Sequence, residues 1–265
     1  MQALDARLLE QLARNALDRT DVEQAGLEHP DLALRLDRAW GSSRPGGRAR
    51  LREALIAYSR ERFPERAGDL RPLRDLSRPP EHPLLRFSLS HSPEWGGFAC
   101  VSSLCGIGFD IEDGARFAGA RGRAIARRVA VDARELEEAP SPGLLWVAKE
   151  AAFKSLRFAG RQPATISQIC VYNWRPFPSP LGAAYRCEAT CNGPREATYN
   201  GPREAPGKAA REAPRASHAH PESTKQATLR AGSGPPEPPS QALGLVGAAF
   251  LSGGIATSFF AHHLN

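Results

Sequence analysis

Three short clusters bring together residue types that could do chemistry. The first is Gly108-Phe109-Asp110-Ile111-Glu112, in which apolar and acidic residues alternate. Alternation is the period of a strand, and residues two apart on a strand share a face, so Asp110 and Glu112 present two carboxylates side by side. Such a pair repels itself unless a cation stands between. Hard oxygen donors of this kind suit magnesium, which takes one or two protein carboxylates and fills its shell with water and substrate phosphate. The second cluster is Trp146-Val147-Ala148-Lys149-Glu150-Ala151-Ala152-Phe153-Lys154. On a helix, Trp146, Glu150 and Lys154 fall four apart in one stripe, so a third carboxylate and an ammonium share a face, while Lys149 points elsewhere. The third is Ser90-His91-Ser92, at the end of an alternating run, a common place for ligand contacts. Each has an ordinary alternative: a solvated strand face, an exposed Glu-Lys pair with a tryptophan covering apolar surface, and a structural histidine.

The elements that must position these clusters read as mixed α/β. Residues 85–90 alternate, with Leu85, Phe87 and Leu89 on the inner side of a half-buried strand. Residues 97–104 and 106–112 follow as strands, the latter turning Ile107, Phe109 and Ile111 inward. A basic helix is expected over 121–129, then a helix start with Asp132 as cap and Glu135 three residues on, then a helix over 145–157. Residues 166–173 and 183–190 read as strands. Upstream, Leu4, Leu8, Leu9 and Leu12 mark an apolar helical stripe, and a second helix is expected over 32–40. A third begins near Pro45 and buries Leu51, Leu55 and Tyr58, with Arg44, Arg48 and Arg52 on a different, solvated face.

Residues 240–261 carry no charge and approach the length of a membrane span. Gly244, Gly247, Gly253 and Gly254 dilute that run, and Ser252-Gly253-Gly254 predicts a hairpin turn between two strands instead. Residues 192–240 collapse into Ala, Pro, Gly, Arg and Glu, with the Asn-Gly-Pro-Arg-Glu-Ala hexapeptide at 192 repeated at 200, and are expected to form a disordered insertion. The organisation expected is an N-terminal subdomain over 1–105 and a C-terminal subdomain over 106–191 plus 241–265.

The net charge of +6 over 265 residues favours acidic or phosphorylated partners. Nucleic acid is disfavoured, because the aromatic residues do not interleave with the basic ones. Five cysteines, an odd number, and the absence of a signal-peptide core point to a reducing cytoplasm. Cys187 and Cys191 with His218 and His220 fit no common zinc spacing. There is no Gly-x-Ser-x-Gly nucleophile turn, no Gly-x-x-x-x-Gly-Lys-Ser/Thr phosphate loop and no dinucleotide fingerprint at a strand-helix junction.

In order and separation, Phe87-Ser88-Leu89-Ser90-His91-Ser92, Gly108 to Glu112 and Trp146 to Lys154 resemble the three signature motifs of the broad-specificity, monomeric 4'-phosphopantetheinyl transferases. The resemblance runs from the arginine-rich helix to Asn173. It implies a cytoplasmic, monomeric, magnesium-dependent enzyme that moves the phosphopantetheine arm of coenzyme A onto a serine of an apo acyl or peptidyl carrier protein, with neither nucleic acid nor membrane as partner. The implied fold is α/β (α+β), a pseudo-twofold pair of similar subdomains, each a small antiparallel sheet with helices, with the active site in the cleft between them. It implies Asp110, Glu112 and Glu150 as magnesium ligands and Lys154 on the diphosphate; Glu150 is the candidate base, acting directly or through a metal-bound water. Ser90 and His91 correspond to positions gripping the nucleotide end, Arg78 with Pro79 to a basic-proline step before them, and Arg48 to a phosphate contact. Glu135 matches a glutamate that can approach the metal, and its place as partner of Asp132 explains it equally well. Ser88 stands where the family commonly has asparagine, Val147 where serine or threonine follows the tryptophan, and Ser155 departs after the lysine. A binding module that keeps the fold and holds coenzyme A or an acidic partner without turnover is the main rival.

Overall fold

Leu32, Leu34 and Leu36 recur at every second position and place β1 at Ala33–Asp37 rather than in the helix expected over 32–40. Only Arg38–Trp40 is helical there, as one 3-10 turn capped by Asp37, whose Oδ1 accepts the Ala39 N–H at 2.7 Å. The reason is burial on both faces: Leu34 and Leu36 join one apolar cluster while Ala33 joins another, an arrangement open to a strand between two layers. The computed structural model describes residues 32–102, 105–179, 182–191, 244–252 and 254–263. The leucine stripe at 4–12 and the insertion expected over 192–240 lie outside the described residues.

Beyond β1 run α1 (Gly47–Arg62), β2 (Arg86–His91), β3 (Gly96–Val101) and β4 (Cys105–Asp113). Next come α2 (Gly119–Val129), α3 (Ala133–Glu138), α4 (Pro142–Leu156), β5 (Cys170–Pro176), β6 (Ala183–Thr190), β7 (Gly244–Ser252) and β8 (Ile255–His263). The described residues thus form a mixed α/β protein with four α-helices and two antiparallel sheets, ordered β1-β3-β2 and β4-β8-β7-β6-β5. The uncharged C-terminal run is a strand pair as expected, turned at Gly254 with φ of +83°, a left-handed conformation that glycine adopts without a Cβ penalty. Among the described residues no helix is long and apolar enough to cross a membrane.

α1 packs Leu51, Leu55 and Ile56 against Phe87 and Phe98 of the first sheet. The other face of that sheet, through Leu34, Leu36 and Val101, meets Ile107, Phe109 and Ile111 of β4 and Phe250 and Phe259 of the second. Ser88 stitches the two sheets: its buried hydroxyl accepts the Phe109 N–H at 2.9 Å, so the outward edge of β4 does not carry an orphaned donor.

α4 starts three residues before the expected 145, because Ser141 caps it by accepting the Leu144 N–H at 3.2 Å and Pro142 occupies its first turn. Conversely, the strand expected from 166 begins at Cys170, since Thr165 and Gln168 form a capping box that coils Ile166–Gln168 into a 3-10 turn. Across the second sheet, α4 lies so close to β4 that only glycine fits at 108. A Cβ there would stand 1.7 Å from the Ala151 carbonyl oxygen and 2.7 Å from the Ser155 nitrogen. That contact sets the distance between the acidic face of β4 and the Glu150/Lys154 face of α4.

Candidate active site

Ile107, Phe109 and Ile111 are fully buried on the inner face of β4. Each contributes roughly 1.5–3 kcal/mol of burial, enough to hold the strand in place while its other face carries charge. Asp110 on that face is only 4% exposed. Its Oδ1 accepts the Lys154 ammonium at 2.7 Å and the Ser90 hydroxyl at 2.6 Å, while its Oδ2 is buried with no hydrogen-bond partner among the described residues. Lys154 also donates to the Phe109 carbonyl at 3.2 Å, so α4, β4 and β2 meet at one carboxylate. Its backbone is pinned from β8 by Thr257, whose hydroxyl donates to the Asp110 carbonyl at 2.8 Å.

Glu112 and Glu150, both half-buried, lie near enough to feel the charge of Asp110. Burial pushes both carboxyls above the usual range, and the Asp110 charge adds to the rise in each; Arg116 and Lys154 pull back. Glu112 is bonded to Arg116 at 2.6 Å. The arginine in turn lies over the Trp146 and Phe117 rings, 5.1 and 5.5 Å from their centroids. The three carboxylates therefore share one electrostatic neighbourhood with two cations.

This donor set suits a hard divalent cation: oxygen donors only, the Asp110 charge raising the pKa of both Glu112 and Glu150, and an Asp110 oxygen without a partner among the described residues. As placed, no three His, Cys, Asp or Glu side chains among the described residues stand in a metal-holding arrangement. Lys154 and Arg116 stand on Asp110 and Glu112 instead, so the chemistry of the donors fits and their side chains must turn to share an ion.

Ser90 and His91 line a cavity of about 250 Å³ together with Arg48, Arg52, Leu89 and Lys154. Burial, with the Arg48 and Lys154 charges, holds the His91 imidazole below its ordinary pKa, against its own backbone and Asp110. Arg78 faces an adjoining cavity of about 460 Å³ lined also by Arg52, Pro79, Lys154 and Arg157, and is paired to Asp75 at 2.9 Å. All eight residues singled out in the sequence, Arg48, Arg78, Ser90, His91, Asp110, Glu112, Glu150 and Lys154, thus line these cavities or flank the acidic cluster beside them.

Glu135 does not join that cluster. It is buried under α4, where its Oε2 meets the Lys149 ammonium at 2.8 Å and accepts the Val131 N–H at 2.7 Å, and its Oε1 accepts the Val171 N–H at 2.6 Å. Asp132 caps α3 as expected, its Oδ1 accepting the Glu135 N–H at 2.9 Å, but the glutamate's carboxylate reaches other backbone groups.

Arg52 departs from its solvated expectation. It is 8% exposed, its Nη2 donates to the Arg78 carbonyl at 2.7 Å, and its Nη1 has no partner among the described residues. Its place directly after Leu51 and three residues before Leu55, at the margin of the apolar stripe, is the signal that could have found it. Arg116 lay four residues beyond Glu112, a separation that carries meaning only once the chain turns helical at Gly114–Phe117. Comparison with protein-family models finds no match to this sequence, and comparison with curated proteins finds none either.

Proposed function

We propose that this chain transfers the 4'-phosphopantetheine arm of coenzyme A to a serine of an apo acyl or peptidyl carrier protein, in the presence of magnesium. One observation carries the proposal: Lys154 of α4 bonded to Asp110 of β4, with Glu112 and Glu150 beside them, next to a basic cavity lined by Arg48, Arg52 and His91. Acidic oxygens and fixed cations side by side are what a diphosphate ester and its metal require. The finer architecture proposed is a pseudo-twofold pair of subdomains with coenzyme A in the cleft between them, acting as a cytoplasmic monomer.

Asp110, Glu112 and Glu150 would hold the magnesium, which supplies neutralisation of charge on the diphosphate when bound. Arg48, Arg52 and Arg78 offer guanidinium groups to the phosphates of the nucleotide end, with Ser90 and His91 at the same wall. Lys154 meets charge as it builds on the leaving phosphate. The serine oxygen of the carrier bonds to the phosphorus bearing the pantetheine arm. The bond from that phosphorus to the bridging oxygen breaks, and adenosine 3',5'-bisphosphate leaves with the electron pair. Glu150 takes the serine proton; burial and the neighbouring Asp110 raise its carboxyl toward the range of a working base.

The test is incubation with coenzyme A, magnesium and a panel of apo carrier proteins, read by intact mass. A gain of about 340 Da, the mass of the transferred arm, is expected on at least one carrier. Asp110→Ala should weaken magnesium-dependent use of coenzyme A, and Glu150→Gln should depress turnover more than coenzyme A binding. Coenzyme A binding without mass gain on any carrier would leave a binding module and refute the transferase.

A further inference from the structure

Three carboxylates, Asp110, Glu112 and Glu150, face two cations, Lys154 and Arg116, which leaves the cluster one formal negative charge. A divalent ion added with both cations in place would leave it positive, and the ion would find one oxygen each of Asp110 and Glu112 already taken. One cation has to yield. Lys154 is held by two acceptors, Asp110 Oδ1 and the Phe109 carbonyl, and its side chain is 28% exposed. Arg116 is different on each count. Its side chain is 40% exposed, among the described residues it bonds Glu112, and its guanidinium already lies over Phe117 and Trp146. Withdrawal from Glu112 costs it one ion pair, while the aromatic faces go on stabilising the charge. The segment carrying it is anchored separately, since Asp113 Oδ1 caps the 3-10 turn Gly114–Phe117 by accepting the Ala115 N–H at 2.9 Å.

We propose that Arg116 sets the affinity of the acidic cluster for its divalent ion: it stands on Glu112 as a surrogate cation and gives way to the ion while remaining on the Trp146 and Phe117 rings. The proposal rests on the metal-binding part of the function proposed above. It makes Arg116 a positioning residue, acting on the ion through Glu112. In the absence of metal it relieves repulsion within the cluster and keeps Glu112 in place. In the presence of metal its competition loosens binding, so the site empties more readily than its three carboxylates alone would allow.

Calorimetric titration of the full-length protein with magnesium chloride alone, at fixed ionic strength, tests this on wild type, Arg116→Gln and Arg116→Lys, with melting in EDTA and in excess magnesium alongside. Arg116→Gln should bind magnesium about three- to fivefold tighter, the upper part of the range expected when a partly exposed competing ion pair is lost. Its melting temperature should fall in EDTA and recover in magnesium, while Arg116→Lys, which keeps the charge, should stay within about twofold of wild type. A purely structural arginine gives another pattern: Arg116→Gln destabilised equally with and without magnesium, with affinity unchanged or weaker, which overturns the proposal while leaving the metal reading intact. Absence of magnesium binding by wild type and variants alike would overturn both.

Discussion

Lys149→Met removes the ammonium from an ion pair that has no access to water, Lys149 being 0% and Glu135 1% exposed at the side chain. Lys149 bonds Glu135 and the Ile169 carbonyl, and burial pushes its pKa down against the raising influence of Glu135. Methionine fills nearly the same volume, so little cavity is created. What remains is a buried carboxylate with two backbone N–H donors and no counter-charge. Removing one partner of a buried pair costs about 3–5 kcal/mol; the surviving Val131 and Val171 bonds place this case near the lower end, at about 3 kcal/mol. Urea denaturation followed by tryptophan fluorescence and circular dichroism should show the midpoint falling by about 1 M or more at an unchanged slope. The double variant Lys149→Met/Glu135→Gln should recover about half of the loss, because no charge is then left unpaired. A single-variant loss below about 1 kcal/mol, the figure for exposed pairs, would refute the reasoning, as would a double variant no more stable than the single. Glu135→Gln alone should leave the magnesium affinity of the protein within about twofold of wild type; a larger shift would return Glu135 to the metal site.

Gly108→Ala would place a methyl group against the Ala151 carbonyl and force α4 outward by more than about 1 Å, a strain of about 3 kcal/mol or more. The same retreat opens the 2.7 Å Lys154–Asp110 contact, so transfer measured by intact mass should fall about a hundredfold, and a variant with wild-type melting and rate would show that the helix is not seated there. Arg52→Met keeps the stem and removes a guanidinium whose Nη2 bonds the Arg78 carbonyl and whose Nη1 has no partner among the described residues, so coenzyme A affinity measured by calorimetry should weaken about tenfold with at most a modest fall in melting; unaltered affinity would assign Arg52 to packing alone. His82 is buried as a neutral ring, its Nδ1 accepting the Leu84 N–H at 3.2 Å and its Nε2 bonded to the Ala67 carbonyl at 2.9 Å, and burial lowers its pKa from 6.5. The unfolded chain therefore binds the proton more readily. The stability His82 contributes is complete above pH 6.5 and is lost as pH falls from there through the lowered folded value, by at most about 1.4 kcal/mol per pH unit. Denaturation midpoints of wild type and His82→Gln should converge between pH 8 and pH 5, and a constant gap would refute the assignment.

How much of this was legible in the sequence follows from where each pattern is decided. The alternation of Ile107, Phe109 and Ile111 with Asp110 and Glu112, and the four-residue spacing of Trp146, Glu150 and Lys154, are local, and both elements formed over those residues, with α4 starting three residues early at its Ser141 cap. Leu32, Leu36 and Trp40 also sit four apart, so residues 32–40 satisfy a helical period. Pairing of β1 with β3 decided otherwise, because Leu34 between them had an apolar layer to enter. Arg52, Arg116 and Lys149 were legible as charges but not as partners. The acceptor of each lies on a different element or depends on a turn: the Arg78 carbonyl, Glu112 across a 3-10 turn, and Glu135 on α3. A sequence reports which charges exist, and only packing reports which of them lose water.

Among the described residues two carboxylates are buried, Glu135 and Asp110, and the contrast between them supports a binding site in physical terms. Glu135 has a bonded partner at each oxygen and a lysine for its charge, which is how a fold disposes of a carboxylate it only has to bury. Asp110, hardly more exposed, also has a lysine for its charge, but among the described residues its Oδ2 has no partner, and two further carboxylates raised in pKa stand beside it. An unsatisfied buried oxygen costs about 1–3 kcal/mol, and like charges add to that; apolar residues on the same strand face would cost neither. Stability alone therefore does not explain the Asp110 face. A bound cation would satisfy the oxygen and remove the repulsion together, and a phosphate ester beside it would complete the charge balance that Lys154 and the arginines of the cavity leave positive.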